Sequence, residues 1–192
     1  MASLGVEVEY FPATIGDGLA NLVRPNTGIV MLEIPGSNSF EMCDVPLLAG
    51  IAHDNNPDCV VTLDNTWATP LFFKPLDFGV DISIHALTKY PSGHSDMLMG
   101  SMSANERCWK QLRDHTQAMG ICVGGDDAYL ILRGLRSMGV RLQHQQKSTL
   151  AICQWLQQQE QVSRVLYPAL PEHPGHDIWK RDFGGASSLF TF

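Results

Sequence analysis

The chain has 192 residues, a net charge of −7, and 44% hydrophobic against 17% charged residues. This composition predicts a folded protein of one domain or a little more, and excludes a disordered chain. The acidic balance argues against a nucleic-acid surface, and no stretch approaches the roughly 20 apolar residues of a membrane span. The five cysteines form no CxxC pair and the seven histidines no metal-ligand spacing, so no metal site is predicted and a reducing cytoplasm is the expected location.

Strand and helix signals alternate through the first half of the chain. The apolar run 27–34 predicts a buried parallel strand, while Asp44, with Pro46 two positions later, predicts the N-cap of a helix that ends at Ala52. This alternation indicates βαβ units and a mostly parallel sheet covered by helices on both faces. Further strands are predicted at 6–11, 59–64, 80–86 and 97–103, and a short helix at 17–23.

Helical patterns dominate after Asn105. Residues 106–118 and 126–133 are predicted helices, and Gly134 is interpreted as the cap that ends the second one. Residues 140–159 predict a long helix with apolar side chains at helical spacing. The adjacent pair Asp126–Asp127 is better explained by helix capping than by acid–base chemistry. Two strands at 162–167 and 187–192, with a short helix between them, complete the prediction.

Lys89 follows the apolar run 82–87 and stands directly after Thr88. Alone, such a lysine is usually a solvated loop charge. Strand ends, however, are where α/β proteins present reactive side chains, and a partly desolvated amine there can form a Schiff base with a carbonyl compound. Asp64 ends the preceding apolar run in the same way. A Schiff-base lysine and an acid for a pyridinium nitrogen are together the signature of pyridoxal 5'-phosphate (PLP).

The residues around both positions form two recognisable motifs. Thr88-Lys89-Tyr90-x-x-Gly93-His94-Ser95-Asp96, preceded by Leu63-Asp64-Asn65-Thr66-Trp67, resembles the Cys/Met-metabolism family of PLP-dependent enzymes. This family includes cystathionine β-lyase, cystathionine γ-lyase, cystathionine γ-synthase and methionine γ-lyase. Gly36-Ser37 and the segment 175–183 favour the bacterial β-lyase among these members.

The resemblance implies an aspartate-aminotransferase-like fold (fold type I), in which a large PLP-binding domain precedes a smaller C-terminal domain. Residues 1–135 would form the C-terminal part of the large domain. Residues 136–192 would form a linking long helix and an incomplete C-terminal domain. A truncated chain is expected, because the family's phosphate-binding turn would precede Met1 and its substrate-carboxylate arginine would follow Phe192.

The resemblance also implies roles for individual residues. Lys89 would be the catalytic residue, which binds PLP covalently and then acts as the base for the substrate's Cα proton. Asp64 would pair with the pyridine nitrogen, Thr88 would donate to the phosphate, and Thr66 would line the cofactor. Many relatives have a serine three positions before the lysine, where this chain has Ala86. That phosphate contact is therefore not expected here.

The implied function is a PLP-dependent carbon–sulfur lyase of methionine biosynthesis, which converts L-cystathionine to homocysteine, pyruvate and ammonia by β-elimination. A small sulfur amino acid is the expected substrate and a homo-oligomer, the family's tetramer, the expected assembly, without nucleic-acid or membrane partners. Two alternatives stay open: γ-elimination or γ-replacement on the same scaffold, and a catalytically incompetent fragment with a structural or partner-binding role. A nucleotide-binding domain ranks last, because no G-x-G-x-x-G or G-x-x-x-x-G-K-[ST] motif is present.

Overall fold

A mixed sheet lies at the centre of the structure, a computed structural model that describes residues 2–192. Within those residues the sheet has four strands in the order β1-β2-β3-β4. The first three strands are parallel, and β4 is antiparallel to β3. The predicted α/β class with a mostly parallel sheet is confirmed. The strands are β1 (Ile29–Glu33), β2 (Val60–Asp64), β3 (Ile82–Ala86) and β4 (Gly100–Ala104).

Each predicted helical run lies in a helix of the structure, with different bounds, and the short helix Thr69–Phe72 was not predicted. Asp44 caps the first helix as predicted, because its Oδ1 accepts a hydrogen bond from the Leu47 N–H at 3.2 Å and Pro46 occupies the first turn. The predicted helix at 17–23 is a 3₁₀ helix, Gly16–Asn21. The α-helices are α1 (Val45–Asn55), α2 (Thr69–Phe72), α3 (Trp109–Ala118), α4 (Gly125–Leu156) and α5 (His176–Asp182).

The core forms around β2, whose three central residues are all buried. Helix α1 packs its buried side chains, among them Val45 and Leu48, into the same core. Each fully buried aliphatic side chain contributes roughly 1.5–3 kcal/mol to folding. Strand β1 differs from the prediction of a fully buried strand, since Ile29 and Met31 are both 61% exposed. It lies at the edge of the sheet and buries only one face.

Helix α4 is one continuous helix of 32 residues, so the prediction of two helices separated at Gly134 is wrong. Gly134 lies inside the helix, where a Cβ atom would stand 2.1 Å from the carbonyl oxygen of Pro91. Glycine is therefore used here for close packing and not as a helix end. The predicted boundary between residues 135 and 136 falls within α4 and stays a prediction. Each helix of residues 2–192 is too short or too polar to cross a membrane.

Three predicted strands are wrong. Residues 6–11 are not part of the sheet, because the run finds no ladder partner among residues 2–192. The runs 162–167 and 187–192 share a single bridge, between Leu166 and Thr191. The backbone of residues 187–189 bonds instead to the side chains of Trp67, Tyr90, Thr149 and Tyr167. A high β-propensity is therefore not sufficient to form a strand when no neighbouring strand is available.

Helix α5 attaches the C-terminal part of the chain to the start of α1. Arg181 donates from Nη1 and Nη2 to the two carboxylate oxygens of Asp44, each at 2.9 Å. Phe183, directly after the helix, stacks on Phe73 with ring centroids 4.5 Å apart. A bidentate ion pair combined with aromatic packing fixes orientation as well as position. The segment that follows α5 is thereby held near the carboxyl end of β2.

A buried carboxylate, Asp81, ties together the opposite end of the sheet. It is 2% exposed and accepts hydrogen bonds from the Val61 N–H, from Asn105 and from Arg107, each at 2.8 Å, and lies 2.9 Å from His53 Nε2. Burial raises the pKa of Asp81, but these hydrogen bonds and the Arg107 charge outweigh it, and the pKa lies below its ordinary value. The folded state therefore stabilises the ionised form.

Replacing Asp81 by asparagine is expected to lower the free energy of unfolding by about 2 kcal/mol, because hydrogen bonds to a charged group are lost. The ionised carboxylate contributes fully to the free energy of unfolding above about pH 4. This contribution is lost as pH falls through the pKa of Asp81 in the folded state, which is lower than its pKa in the unfolded state. Urea unfolding at pH 7 and at pH 3 measures this. The variant should lose less stability on acidification than the wild type. Asp58→Asn, at an exposed position, is the control for charge.

Candidate functional site

A cavity of about 140 Å³ lies at the carboxyl ends of β2 and β3. Its lining includes Asp64, the last residue of β2, and Lys89, in the turn after β3, with Thr66 and Trp67. Asp64 is paired with Ile84 in the parallel ladder, so the two strands end at the same edge of the sheet. Ligands of open α/β sheets bind at this edge. The structure thus brings the two sequence-predicted residues to one cavity.

A larger cavity of about 740 Å³ lies beside the first. Lys89, Tyr90 and Leu189 line both cavities, so Lys89 stands at their boundary. Lys89 is an exposed residue that faces open space on two sides. Partial desolvation of its amine stays a prediction. Thr88 and Arg141 also line the larger cavity.

The carboxylate of Asp64 is held by the loop that follows it. Its Oδ1 accepts a hydrogen bond from the Thr66 N–H at 2.9 Å, and Oδ2 accepts none from residues 2–192. Thr66 Oγ1 accepts a hydrogen bond from the Ala86 N–H at 2.9 Å. Thr66 therefore links the ends of β2 and β3, in addition to lining the smaller cavity. Asp64 is oriented through one oxygen and can bond a ligand through the other.

Thr88 bonds to the backbone that enters β4. Its hydroxyl donates to the Met99 carbonyl at 3.3 Å and accepts from the Met99 N–H at 3.1 Å. The predicted donation to a phosphate would require the hydroxyl proton to turn from Met99 toward the larger cavity. The role of Thr88 as a phosphate ligand stays a prediction.

His85 is a buried neighbour of the site that the sequence analysis did not identify. It is 6% exposed, and its Nε2 has no hydrogen-bond partner in residues 2–192. Burial lowers the pKa of His85, the Asp64 charge raises it and the Lys89 charge lowers it further, with a net lowering. The imidazole is therefore neutral at pH 7 and adds no charge near Asp64 and Lys89.

The turn that contains Lys89 packs tightly on α4. Arg141 Nη2 donates to the Tyr90 carbonyl at 2.8 Å and to the Gly134 carbonyl at 3.0 Å. Burial lowers the pKa of the Arg141 guanidinium. Gly134 lies so close to this turn that a side chain at position 134 would overlap the backbone of the turn. Arg141 lies 52 positions after Lys89, and no local sequence signal connects it to the site.

The end of β1 supplies the remaining side of the smaller cavity. Glu33, Gly36 and Ser37 line it, and the Ser37 hydroxyl donates to the Glu33 carboxylate. The cavity therefore contains two carboxylates, Glu33 and Asp64, with Lys89 as the cation on its wall. The sequence analysis noted Gly36-Ser37 but assigned no site role to these residues.

Comparisons with known proteins show what the whole chain is similar to. The model of the family described as "Cys/Met metabolism PLP-dependent enzyme" matches residues 1–192. A curated protein of Rhizobium johnstonii is 56% identical over 189 residues, which are 98% of this chain and 47% of that protein. The cystathionine beta-lyase MetC of Escherichia coli is 47% identical over 192 residues, which are 100% of this chain and 49% of that enzyme.

A solved structure also superposes closely on this fold. The crystal structure of metB from Corynebacterium glutamicum matches with a TM-score of 0.93 and 27% identity, and the match covers 98% of this chain and 49% of that one. The chain thus spans about half the length of the relatives it matches.

Proposed function

The chain belongs to the Cys/Met-metabolism family of PLP-dependent enzymes, and from that premise we propose that it acts as a PLP-dependent carbon–sulfur lyase. The proposed reaction is β-elimination of L-cystathionine to homocysteine, pyruvate and ammonia. The main support is that Asp64 and Lys89 line one cavity at the carboxyl ends of neighbouring parallel strands. The name of the E. coli relative supports the β-lyase reaction over its γ counterpart.

The residues of the cavity fit PLP. A cofactor of this type needs a lysine amine for its carbonyl carbon and an acid for its pyridinium nitrogen, and both side chains line the same space. Asp64 has an oxygen without a protein donor among residues 2–192, which suits a ligand that donates a hydrogen bond. When bound, the cofactor supplies an electron-poor ring that accepts the electron pair left by a broken Cα bond.

The chain's own residues would perform the remaining tasks. Lys89 Nζ would bond the cofactor covalently, and once displaced by the substrate amine it would take the proton from the substrate's Cα. Asp64 Oδ2 would accept a charge-assisted hydrogen bond from the ring nitrogen, which is roughly twice as strong as a neutral one. Thr88 and Thr66 are proposed as further cofactor contacts, on the phosphate and along the ring.

The proposal extends to the setting of the reaction. We place it in methionine biosynthesis in the cytoplasm, with a homo-oligomer as the working form. Exposed apolar side chains along α4 and the loop before it support a covered surface in an assembly, since such patches mark interaction sites. They are Met119, Ile121, Val123, Tyr129 and Leu132.

Replacing Asp64 by asparagine is expected to raise the dissociation constant for PLP by about tenfold or more, since a charge-assisted hydrogen bond contributes about 1.5–3 kcal/mol. The covalent bond to Lys89 should still form at higher PLP concentrations. Titration of the visible cofactor absorbance measures this. Asp54→Asn removes the same charge at an exposed position of α1 and should leave the affinity unchanged.

The function is tested by incubating the PLP-loaded protein with L-cystathionine and assaying two possible keto-acid products, pyruvate and 2-oxobutyrate. Pyruvate with homocysteine is the predicted outcome. Production of 2-oxobutyrate with cysteine would replace the proposal by γ-elimination. Bound PLP without either product would contradict catalysis and favour the alternative of a structural or partner-binding piece.

A further inference from the structure

Residues 186–189 pass beside the site and are held by side chains instead of a neighbouring strand. The Ala186 N–H donates to the side-chain oxygen of Gln146 at 3.0 Å. The next three carbonyls accept hydrogen bonds from three different side chains. These bonds run from Tyr167 Oη to Ser187 O at 2.7 Å, from Thr149 Oγ1 to Ser188 O at 3.4 Å and from Trp67 Nε1 to Leu189 O at 2.9 Å.

Two of the side chains that hold this segment belong to the loops that present Asp64 and Lys89. Trp67 lies three positions after Asp64, and Tyr90 directly follows Lys89. The Tyr90 hydroxyl lies 3.1 Å from the Ser188 Oγ and accepts a hydrogen bond from the Ser188 N–H at 3.3 Å. Both aromatic side chains are only 7% exposed. The segment is thus anchored to both loops of the site.

Leu189 is the residue of this segment that shares both cavities with the lysine, and it is 50% exposed. It lines both cavities together with Lys89 and Tyr90. An apolar side chain at that place excludes water from part of the space around the Lys89 amine. Its backbone is fixed through the Trp67 bond, and the preceding residue through the Tyr90 bond.

We propose that Tyr90 and Trp67 are positioning residues that hold Leu189 against Lys89 as an apolar wall. The wall slows the access of water to the bond between Lys89 and its cofactor. This proposal rests on the proposed function, because it assumes that Lys89 bonds PLP. Tyr90 would thus slow the loss of PLP indirectly, by positioning residues 186–189.

Tyr90→Phe tests the proposal, because it removes the hydroxyl and keeps the ring. The rate of PLP loss after dilution of the loaded protein, followed by visible absorbance, should rise about fivefold, as expected for one lost hydrogen bond. Tyr10→Phe is the matched control, since Tyr10 is 92% exposed and lies outside both cavities. An unchanged rate of loss in Tyr90→Phe would overturn the proposal.

A double-mutant comparison separates positioning from general destabilisation. Leu189→Ala removes the wall directly and should itself speed the loss of PLP. If Tyr90 acts through Leu189, adding Tyr90→Phe to Leu189→Ala should have little further effect. A fivefold effect in both backgrounds would show that Tyr90 does not act through this wall.

Hydrogen exchange of the Ser188 amide tests the anchoring without any cofactor. In Tyr90→Phe this amide loses its acceptor and should exchange about fivefold faster, while amides in the middle of β2 stay unchanged. Equal Ser188 exchange in the two proteins would overturn the proposal. If the wild type bonds no PLP, the proposed function fails, and the exchange result alone still decides whether Tyr90 positions the segment.

Discussion

Replacement of Lys89 by alanine is expected to abolish the covalent attachment of PLP and to lower the proposed lyase activity by at least about 10⁴-fold. Lys89 would both bond the cofactor and move the Cα proton, and proton transfer by a positioned base alone contributes up to about 10⁴-fold. Of the lysines in the sequence, Lys89 is the one that lines the two cavities. Titration with PLP should give no visible band from a covalently bound cofactor in the variant.

Lys147→Ala is the matched control for this experiment, since Lys147 is exposed on α4 and lies outside both cavities. It should titrate like the wild type. Both variants should unfold at the wild-type denaturant concentration, because both remove exposed amines. A normal visible band in Lys89→Ala would refute the assignment of the cofactor lysine.

Gly134→Ala is expected to lower the free energy of unfolding by about 3 kcal/mol, at the upper end of the range for overpacking. The new Cβ atom would lie 2.1 Å from the Pro91 carbonyl oxygen and 2.4 Å from that of Ser92. Both oxygens belong to the backbone of the turn that contains Lys89. The overlap therefore cannot be relieved by the movement of a flexible side chain. The turn must shift away from α4, and PLP affinity should fall together with stability. Urea unfolding and PLP titration of the same variant measure the two effects.

Gly139→Ala is the control within the same helix, because a Cβ atom at Gly139 meets nothing within 4 Å. Alanine is favoured over glycine in a helix interior, so this variant should be more stable by about 0.5–1 kcal/mol. The opposite signs of the two substitutions depend on the contact with Pro91. A similar small stabilisation at both positions would contradict the packing of the lysine turn on α4.

The sequence was sufficient to predict that Asp64 and Lys89 face one site at the edge of the sheet, where both line the smaller cavity. Each ends an apolar run, and parallel strands present their carboxyl ends at one edge of the sheet. The cap at Asp44 was also predictable, since the signal is local and the helix starts where proline is tolerated. These predictions depend on short-range rules that the surrounding fold does not override.

Other features depend on contacts that no local pattern records. Gly134 had the sequence pattern of a helix cap, but its role is set by Pro91, 43 positions earlier. The bond from Trp67 to Leu189 joins residues 122 positions apart. Periodicity in a single sequence contains no information about such pairs. This is why the segment beside the lysine was predicted as a strand and its side-chain anchors were missed.

The exposure of Lys89 shows a second limit of local patterns. The sequence motif places the amine at a strand end, but desolvation depends on the elements that surround it. In this structure Lys89 is an exposed residue at the boundary of two cavities.

Chemical trapping tests whether Lys89 and Asp64 together hold PLP. The protein is loaded with PLP, treated with borohydride, digested and mapped by mass spectrometry. We expect a single modified lysine, Lys89, and less modification at low PLP concentration in Asp64→Asn. Modification spread over Lys74, Lys110, Lys147 and Lys180, or unaffected by Asp64→Asn, would contradict this expectation.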